Sequence, residues 1–209
     1  MSDRENQQET ASDGEIGWVA GIIDGEGSIC LQINRRANRT QTLRVTPKVI
    51  VANTDSGIVE RLAEILTKMG VGRYVMHSVP SNKGPLVKTA TKPITYIHIS
   101  GLKRVHKLLH LLEPWLAGEK KERCVRLKRF IDRRFEQAET LSMGPNYMYD
   151  EKDVDLMLSF MELTKSPSIE HIRRLLREYT QGAQYSKRAM MYSELSGNAK
   201  SSPETATAA

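Results

Sequence analysis

Two carboxylates alternate with two glycines in Asp24-Gly25-Glu26-Gly27, directly after the apolar run Trp18–Ile23. Hydrolysis of a phosphodiester needs charge to be neutralised on the scissile phosphate and a water molecule to be activated. Mg²⁺ held by carboxylates does this work, because oxygen atoms are the ligands that this ion prefers. The glycines let the chain leave a helix at such a turn. The segment can therefore place a metal-binding carboxylate, that of Glu26, at the end of a packed helix.

Small residues recur at helical spacing in the segment that contains this turn, namely Gly17, Ala20, Gly21 and Gly25. A glycine in a helix interior costs about 1 kcal/mol relative to alanine, so the cluster needs a packing reason. Close approach of a second helix is such a reason. The alternative is an amphipathic helix with a glycine-rich end and a solvated Glu26. Ser12-Asp13-Gly14-Glu15 has the pattern of a capping box and indicates where this helix begins.

The formal charge of the 209-residue chain is +6, which favours a polyanionic partner. Bases concentrate at Lys103, Arg104 and Lys107, and then at Lys120, Lys121, Arg123, Arg126, Lys128, Arg129, Arg133 and Arg134. Any one of them is best explained as part of a solvated helix face, but the set suggests a surface that faces phosphates.

No apolar run approaches the roughly 20 residues that span a bilayer, and the polar start of the chain lacks a signal-peptide core. We therefore expect no membrane partner and an intracellular protein, in the cytoplasm, the nucleoid or an organelle matrix, that is not secreted. Cys30 and Cys124 are far apart and form no metal-ligand spacing, so free thiols are expected.

Hydrophobic periodicity predicts the elements that position the acidic turn. Strands with alternating faces are predicted over 28–34 and 43–51, with Pro47 indicating a bulge or an edge position, and two more over 73–79 and 94–99, joined by a long loop. Helices are predicted from Thr54 or Asp55 to Met69, from a Ser100 cap to Leu112, and over 119–137, the last packing through Val125, Leu127, Phe130 and Ile131. Two further helices are predicted to begin near Asp150, with Val154, Met157, Leu158 and Met161 on one face, and at Ser168.

The order α-β-β-α-β-β-α, with short connections that favour antiparallel hairpins, predicts an α+β fold. We expect a curved antiparallel sheet of four strands, covered by helices on one face and polar on the other. The C-terminal helical extension over 140–196 is expected to pack against this core rather than to form a separate DNA-reading helix-turn-helix. Residues 1–11 and 197–209 have the composition of disordered termini.

The residues Val19 to Gly27 resemble the nine-residue signature helix of the LAGLIDADG homing endonucleases, and Ser28-Ile29 match the beginning of the strand that follows it. The resemblance covers residues 12–139 and implies an endonuclease domain of the fold predicted above. It also implies that Glu26 is the catalytic acid and that Glu26 and the Gly25 carbonyl bind Mg²⁺ or Mn²⁺. Because the chain has one signature, the resemblance implies the single-motif type, a homodimer whose interface includes Gly17, Ala20, Gly21 and Asp24.

In this family a polar side chain near the end of the second strand, and a lysine at the start of the last core helix, organise water around the metals. Asn53 matches the first position, where the usual glutamine is absent, and Lys120 or Lys121 matches the second. A twisted antiparallel ribbon fits the major groove, so outward side chains of the strands are expected to read bases. They are Cys30, Gln32, Asn34, Arg44, Thr46, Lys48, Tyr96 and His98, with Arg35, Arg36, Arg39, Lys83 and Lys88 on phosphates.

These expectations indicate a site-specific endonuclease that cuts both strands of double-stranded DNA at a long pseudo-palindromic target, in the manner of intron homing. The alternative is an intron-encoded RNA maturase or DNA-binding protein that uses the same sheet without cleavage, so intron RNA is a further candidate partner. A generic basic αβ protein is the third interpretation.

Overall fold

The computed structural model describes residues 10–35, 43–78, 93–141, 149–163 and 169–181. The elements in these ranges are α1 (Asp13–Glu26), β1 (Gly27–Arg35), β2 (Leu43–Asn53), α2 (Ser56–Lys68), β3 (Tyr74–Ser78), β4 (Ile94–Ser100), α3 (Leu102–Leu112), α4 (Gly118–Leu141), α5 (Glu151–Glu162) and α6 (Ile169–Gln181). The predicted order α-β-β-α-β-β-α is confirmed from α1 through α3, and the predicted basic helix follows as α4. Residues 1–9, the predicted tail over 197–209 and most of the loop between β3 and β4 lie outside the described ranges.

The four strands form one antiparallel sheet in the order β1-β2-β4-β3. Ile29, Val49 and Ile99 lie opposite one another on three neighbouring strands and are fully buried beneath the helices. Because side chains alternate between the two faces of a strand, Cys30 and its partner Lys48 belong to the other face. The predicted α+β class, with helices on one face of the sheet, is confirmed. The outer face is only partly polar, because Ile50, Tyr74, Met76 and Tyr96 belong to it.

Pro47 lies within β2 without a bulge, because its pairing with Leu31 continues the β1–β2 register on both sides. The N–H and C=O groups of a residue in an antiparallel ladder point towards the same neighbouring strand. The Pro47 carbonyl accepts a hydrogen bond from Gly101 N at 3.1 Å, and the β2–β4 ladder begins only at Lys48. The predicted bulge is therefore wrong, and the proline occupies a local edge where no donor is needed.

Helices α1, α2, α3 and α4 pack on the buried face of the sheet. Two details predicted for the helices are wrong. Ser100 ends β4, and the residue before α3 is Gly101, with φ of +95° and no side-chain cap. In α4, Val125 is only half-buried and Cys124 is fully buried instead. In α5, Leu158 packs against the core as predicted, and Phe160 is fully buried beside it.

The extension shares the hydrophobic core of the domain, because Met157 and Phe160 of α5 belong to the same buried cluster as Ile29. A buried ion pair also holds α5 on α4, with Arg134 Nη1 at 2.6 Å from Asp153 Oδ2. The described part of the extension thus packs against the core, as expected. None of the helices in the described ranges is both long and apolar enough to span a bilayer.

Candidate active site and nucleic-acid interface

Helix α1 begins at a complete capping box. Ser12 Oγ accepts from Glu15 N at 3.3 Å, and the Glu15 carboxylate accepts from Ser12 N at 2.9 Å. Glu15 also pairs with Lys68 of α2 at 3.0 Å. The hydrogen bond from the Ser12 backbone, together with Lys68, lowers the pKa of the Glu15 carboxyl below its ordinary value. These contacts fix the start of α1, which carries the acidic turn at its other end.

The end of α1 passes directly into β1 at Gly27. A Cβ atom built on Gly27 would lie 2.7 Å from both Cα and O of Ile23, so a larger residue does not fit. The Gly27 N–H donates to the Ile23 carbonyl, which completes the last helical turn. Glu26 is therefore the final helical residue, and its side chain is exposed and has no hydrogen-bond or ion-pair partner in the described part of the chain.

The start of α4 is tied to this turn at two points. Lys120 Nζ donates to the Gly27 carbonyl and lies 3.4 Å from the Ile23 carbonyl. Asp24 Oδ2 accepts from Ala117 N at 3.3 Å, and the other oxygen, Oδ1, is buried without a hydrogen-bond partner in the described ranges. Lys121 is exposed, and its side chain has no hydrogen bond to the turn within the described ranges. Of the two candidate lysines, Lys120 is the one that contacts the turn carrying Glu26.

Two oxygen donors stand at the turn. The Glu26 carboxylate is exposed and has no partner among the described residues, and the Gly25 carbonyl lies at the C-terminal end of α1, where the helix dipole is negative. Both are oxygen donors of the kind that Mg²⁺ and Mn²⁺ accept. Within the described ranges no three His, Cys, Asp or Glu side chains converge on a metal position. One chain thus offers one carboxylate here.

Asn53 has a local role in the structure. Its Oδ1 accepts from Asp55 N at 2.8 Å, which forms the turn between β2 and α2, and Asp55 Oδ1 in turn caps α2 through Gly57 N at 2.8 Å. By strand parity Asn53 shares the face of the buried Val51 rather than that of Ala52. Its predicted part in organising water stays a prediction.

The structure divides the small residues of α1 into two sets. Gly17 packs against Trp115, whose Cε3 lies 3.2 Å from a Cβ built on the glycine, and Ala20 is 1% exposed in the core of the chain. A Cβ on Gly14, Gly21 or Gly25 would meet no atom of the described residues within 4 Å. The open surface available to a second helix is therefore the stripe of Gly21 and Gly25, which Trp18 separates from Gly14, whereas Ala20 and Asp24 are engaged within the chain.

The outward face of the sheet collects the residues expected to read bases. Cross-strand pairs on this face are Cys30–Lys48, Gln32–Thr46 and Asn34–Arg44, and Tyr96 and His98 lie on the same face of β4. His98 Nε2 is buried and has no hydrogen-bond partner in the described ranges. The side chain of Arg35, and all of Arg36, Arg39, Lys83 and Lys88, lie outside the described residues.

Two outward residues were missed, Tyr74 and Met76, because all five positions of β3 are exposed and no alternation marks its faces. Only the pairing of β3 with β4 assigns them to the outer face.

The bases of α4, in contrast, are largely neutralised within the chain. They pair as Arg123–Glu119, Arg126–Glu122, Lys128–Glu113, Arg133–Asp150 and Arg134–Asp153. Several of these bases therefore hold α4 to the segment that contains α5, and Arg134 is itself buried, so they do not form a surface free to bind phosphates.

No protein-family model and no curated protein matches the chain. Several solved structures do. The homing endonuclease I-CvuI in complex with the I-CreI target is 18% identical, with a TM-score of 0.54 over 81% of this chain and 96% of that one. The homing endonuclease I-TnaI is 16% identical, with a TM-score of 0.55 over 78% of this chain and 97% of that one.

The I-SmaMI LAGLIDADG homing endonuclease, bound to cleaved DNA, is 16% identical, with a TM-score of 0.53. There the match covers 78% of this chain and 49% of the other, so one copy of this chain corresponds to half of that protein. Structural similarity at a sequence identity of 16–18% establishes the fold. This chain therefore has the fold of the LAGLIDADG homing endonucleases.

Proposed function

We propose that this protein is a site-specific DNA endonuclease that cuts both strands of a long pseudo-palindromic target as a homodimer. The observation that carries the proposal is the placement of Glu26. Its carboxylate, which has no partner among the described residues, stands at the end of α1 on the turn that Lys120 contacts, next to Ser28, the first outward residue of β1. A phosphodiester bound at this end of the outward face would therefore lie near the carboxylate.

Glu26 and the Gly25 carbonyl would hold Mg²⁺ or Mn²⁺. Such an ion supplies neutralisation of charge at the scissile phosphate and activation of water. Lys120 adds a positive charge and holds the backbone on both sides of Glu26 through the Ile23 and Gly27 carbonyls. Asp24 holds the same turn to the start of α4. Lys120 and Asp24 would therefore position the Glu26 carboxylate rather than exchange protons with the substrate.

A second copy of the chain would supply the second carboxylate. The open stripe of Gly21 and Gly25 supports this, because two glycines one helical turn apart let another backbone approach closely. Two α1 helices crossing on a two-fold axis would bring the two Glu26 turns together, one for each DNA strand. The target of a symmetric dimer would then be nearly palindromic.

The cross-strand pairs on the outward face support duplex DNA as the ligand. Asn34 beside Arg44 and Gln32 beside Thr46 present amide and guanidinium groups, which are the side chains that read adenine and guanine edges. A protein that acts on chromosomal DNA would work in the cytoplasm, the nucleoid or an organelle matrix.

Purified protein with Mg²⁺ is tested on a plasmid that carries the intronless form of its host gene, compared with Glu26→Gln and with Asp13→Asn as the matched control. Asp13 is an exposed acid in the first turn of the same helix. We expect the wild type and Asp13→Asn to cut, and Glu26→Gln to bind without cutting. Cleavage by Glu26→Gln would refute the site assignment. Binding of DNA or intron RNA by the wild type without cleavage would favour the maturase or DNA-binding alternative.

A further inference from the structure

Exposed apolar side chains are concentrated on β3 in the described part of the chain. Tyr74 is 66% exposed, Met76 is 41% exposed and Val75, between them, is 37% exposed. A soluble protein rarely leaves contiguous apolar surface of this kind without a use for it, and such patches commonly mark binding sites. The strand register shows which of these residues can share a ligand with the rest of the sheet.

Tyr74 lies opposite His98 and Met76 lies opposite Tyr96, so both project from the same face as these two residues. Two rows therefore cross the outward face. The first consists of Ser28, Ile50, His98 and Tyr74, and the second of Ala52, Tyr96 and Met76. The rings of Tyr96 and His98 are 6.0 Å apart between centroids, which links the two rows. We call Ile50, Tyr74, Met76 and Tyr96 the apolar zone.

Further along the same strands the outward face changes character. The rows beyond Ser28 are Cys30 with Lys48, Gln32 with Thr46 and Asn34 with Arg44. This polar zone offers hydrogen-bond donors and acceptors, whereas the apolar zone offers mainly carbon surface. The two zones lie on one continuous face, so one elongated ligand would touch both.

Within the major groove, the feature that matches carbon surface is the C5-methyl group of thymine. Guanine and adenine edges are read by arginine or lysine and by asparagine or glutamine, which belong to the polar zone. We propose that Tyr74 and Met76 recognise thymine methyl groups and so determine specificity at the base pairs under the apolar zone. This inference rests on the proposed function, because it takes duplex DNA as the ligand of the sheet.

The strand supplies its own control. Val75 is an apolar residue of the same strand with similar exposure to Met76, but its opposite parity places it on the other face of the sheet. Met76→Ala, Tyr74→Ala and Val75→Ala each remove apolar surface from β3. Only the first two changes remove it from the outward face.

The wild-type protein is first used to select bound duplexes from a randomised pool, and the selected duplex is tested for cleavage with Mg²⁺. Thymine is then replaced by uracil, which lacks the methyl group, at each conserved T·A pair. We expect about a fourfold loss of wild-type affinity at one or more of these pairs, the factor for one buried methyl group. Met76→Ala or Tyr74→Ala should bind the thymine duplex and the uracil duplex equally well at the pair that the replaced side chain contacts. Val75→Ala should discriminate between them as the wild type does.

Failure of the inference and failure of the proposed function give different results. If the pool yields a duplex that is bound and cut, but uracil costs nothing at any pair, the inference is overturned and the function stands. If no duplex is selected, the proposed function fails as well. If Val75→Ala loses discrimination between thymine and uracil to the same extent, the inference is overturned. It is also overturned if the protein prefers single-stranded DNA in a way that depends on Tyr74, because aromatic stacking on unpaired bases would then explain the exposed side chains.

Discussion

Lys120 donates a hydrogen bond from Nζ to the carbonyl oxygen of Gly27, the residue that follows Glu26. The two residues are 93 positions apart in sequence, and their contact joins the start of α4 to the junction between α1 and β1. Asp24 reinforces the junction by accepting from Ala117 N. The carboxylate proposed to bind metal thus stands on a turn held by α4 and not on a free loop.

Replacing Lys120 by methionine should slow cleavage by about tenfold or more, because a charge-assisted hydrogen bond contributes about 1.5–3 kcal/mol and a loosened turn misplaces Glu26. Lys121→Met is the matched control, since it removes the same charge one residue further along α4. Single-turnover cleavage at saturating protein, with DNA affinity measured separately, checks the prediction. Equal slowing by both variants would show that net charge, and not the contact with the turn, matters.

Gly21→Ala should have opposite effects on the monomer and on the dimer. The new methyl group meets nothing within 4 Å in one chain, so the free energy of unfolding of the monomer should rise by up to about 1 kcal/mol. The same methyl group would separate two crossing helices, so the dimer dissociation constant should rise by about tenfold or more in sedimentation experiments. Gly14→Ala, about 10 Å along α1, should stabilise without weakening the dimer. A Gly21→Ala dimer as tight as the wild type would exclude this stripe as the interface.

Asp153→Asn should strongly destabilise the fold. Asp153 is fully buried and pairs with Arg134, which is 2% exposed, so its loss leaves the guanidinium without this carboxylate in the interior. Breaking such a buried pair costs about 3–5 kcal/mol. Asp155→Asn, at an exposed position of the same helix, should change the free energy of unfolding by less than about 0.5 kcal/mol. Denaturant titrations of both variants test the difference, and similar midpoints would contradict it.

The two free thiols should differ in reactivity. Burial raises the pKa of Cys124 to about 12, and burial also raises the pKa of Cys30. The thiolate is the reactive form, so alkylation of Cys30 should be slow at neutral pH and should accelerate as the pH rises towards its raised pKa. Cys124, with no exposed surface, should react only when the protein unfolds.

Because Cys30 lies on the outward face of β1, bound duplex DNA should protect it from a maleimide, as peptide mass spectrometry would detect. Cys30→Ser gives the background rate. Labelling of Cys124 ahead of Cys30 in the folded protein, or a Cys30 rate unchanged by saturating DNA, would contradict the assigned burial or the assigned face.

Local periodicity was enough to predict much of the fold. The alternation of Ile29, Leu31 and Ile33 with polar residues assigned both faces of β1, because a strand has a period of two residues and each face has one environment. The capping box at Ser12 and the cap at Asp55 were predictable for a similar reason, since each contact is made within three residues. The signature segment also indicated which carboxylate stands at the end of α1.

Contacts between distant parts of the chain decided the rest. The choice of Lys120 over Lys121 depends on the rotation of α4 against α1, and the face of Tyr74 and Met76 depends on the pairing of β3 with β4. Gly17 and Ala20 matched a helix-packing pattern in sequence, yet Trp115 and the core of the same chain occupy those faces. Residue types and their spacing therefore determined the elements and the chemistry available to them. Tertiary packing alone decided which side chains meet, because the sequence distance between residues does not specify which surfaces of two elements come into contact.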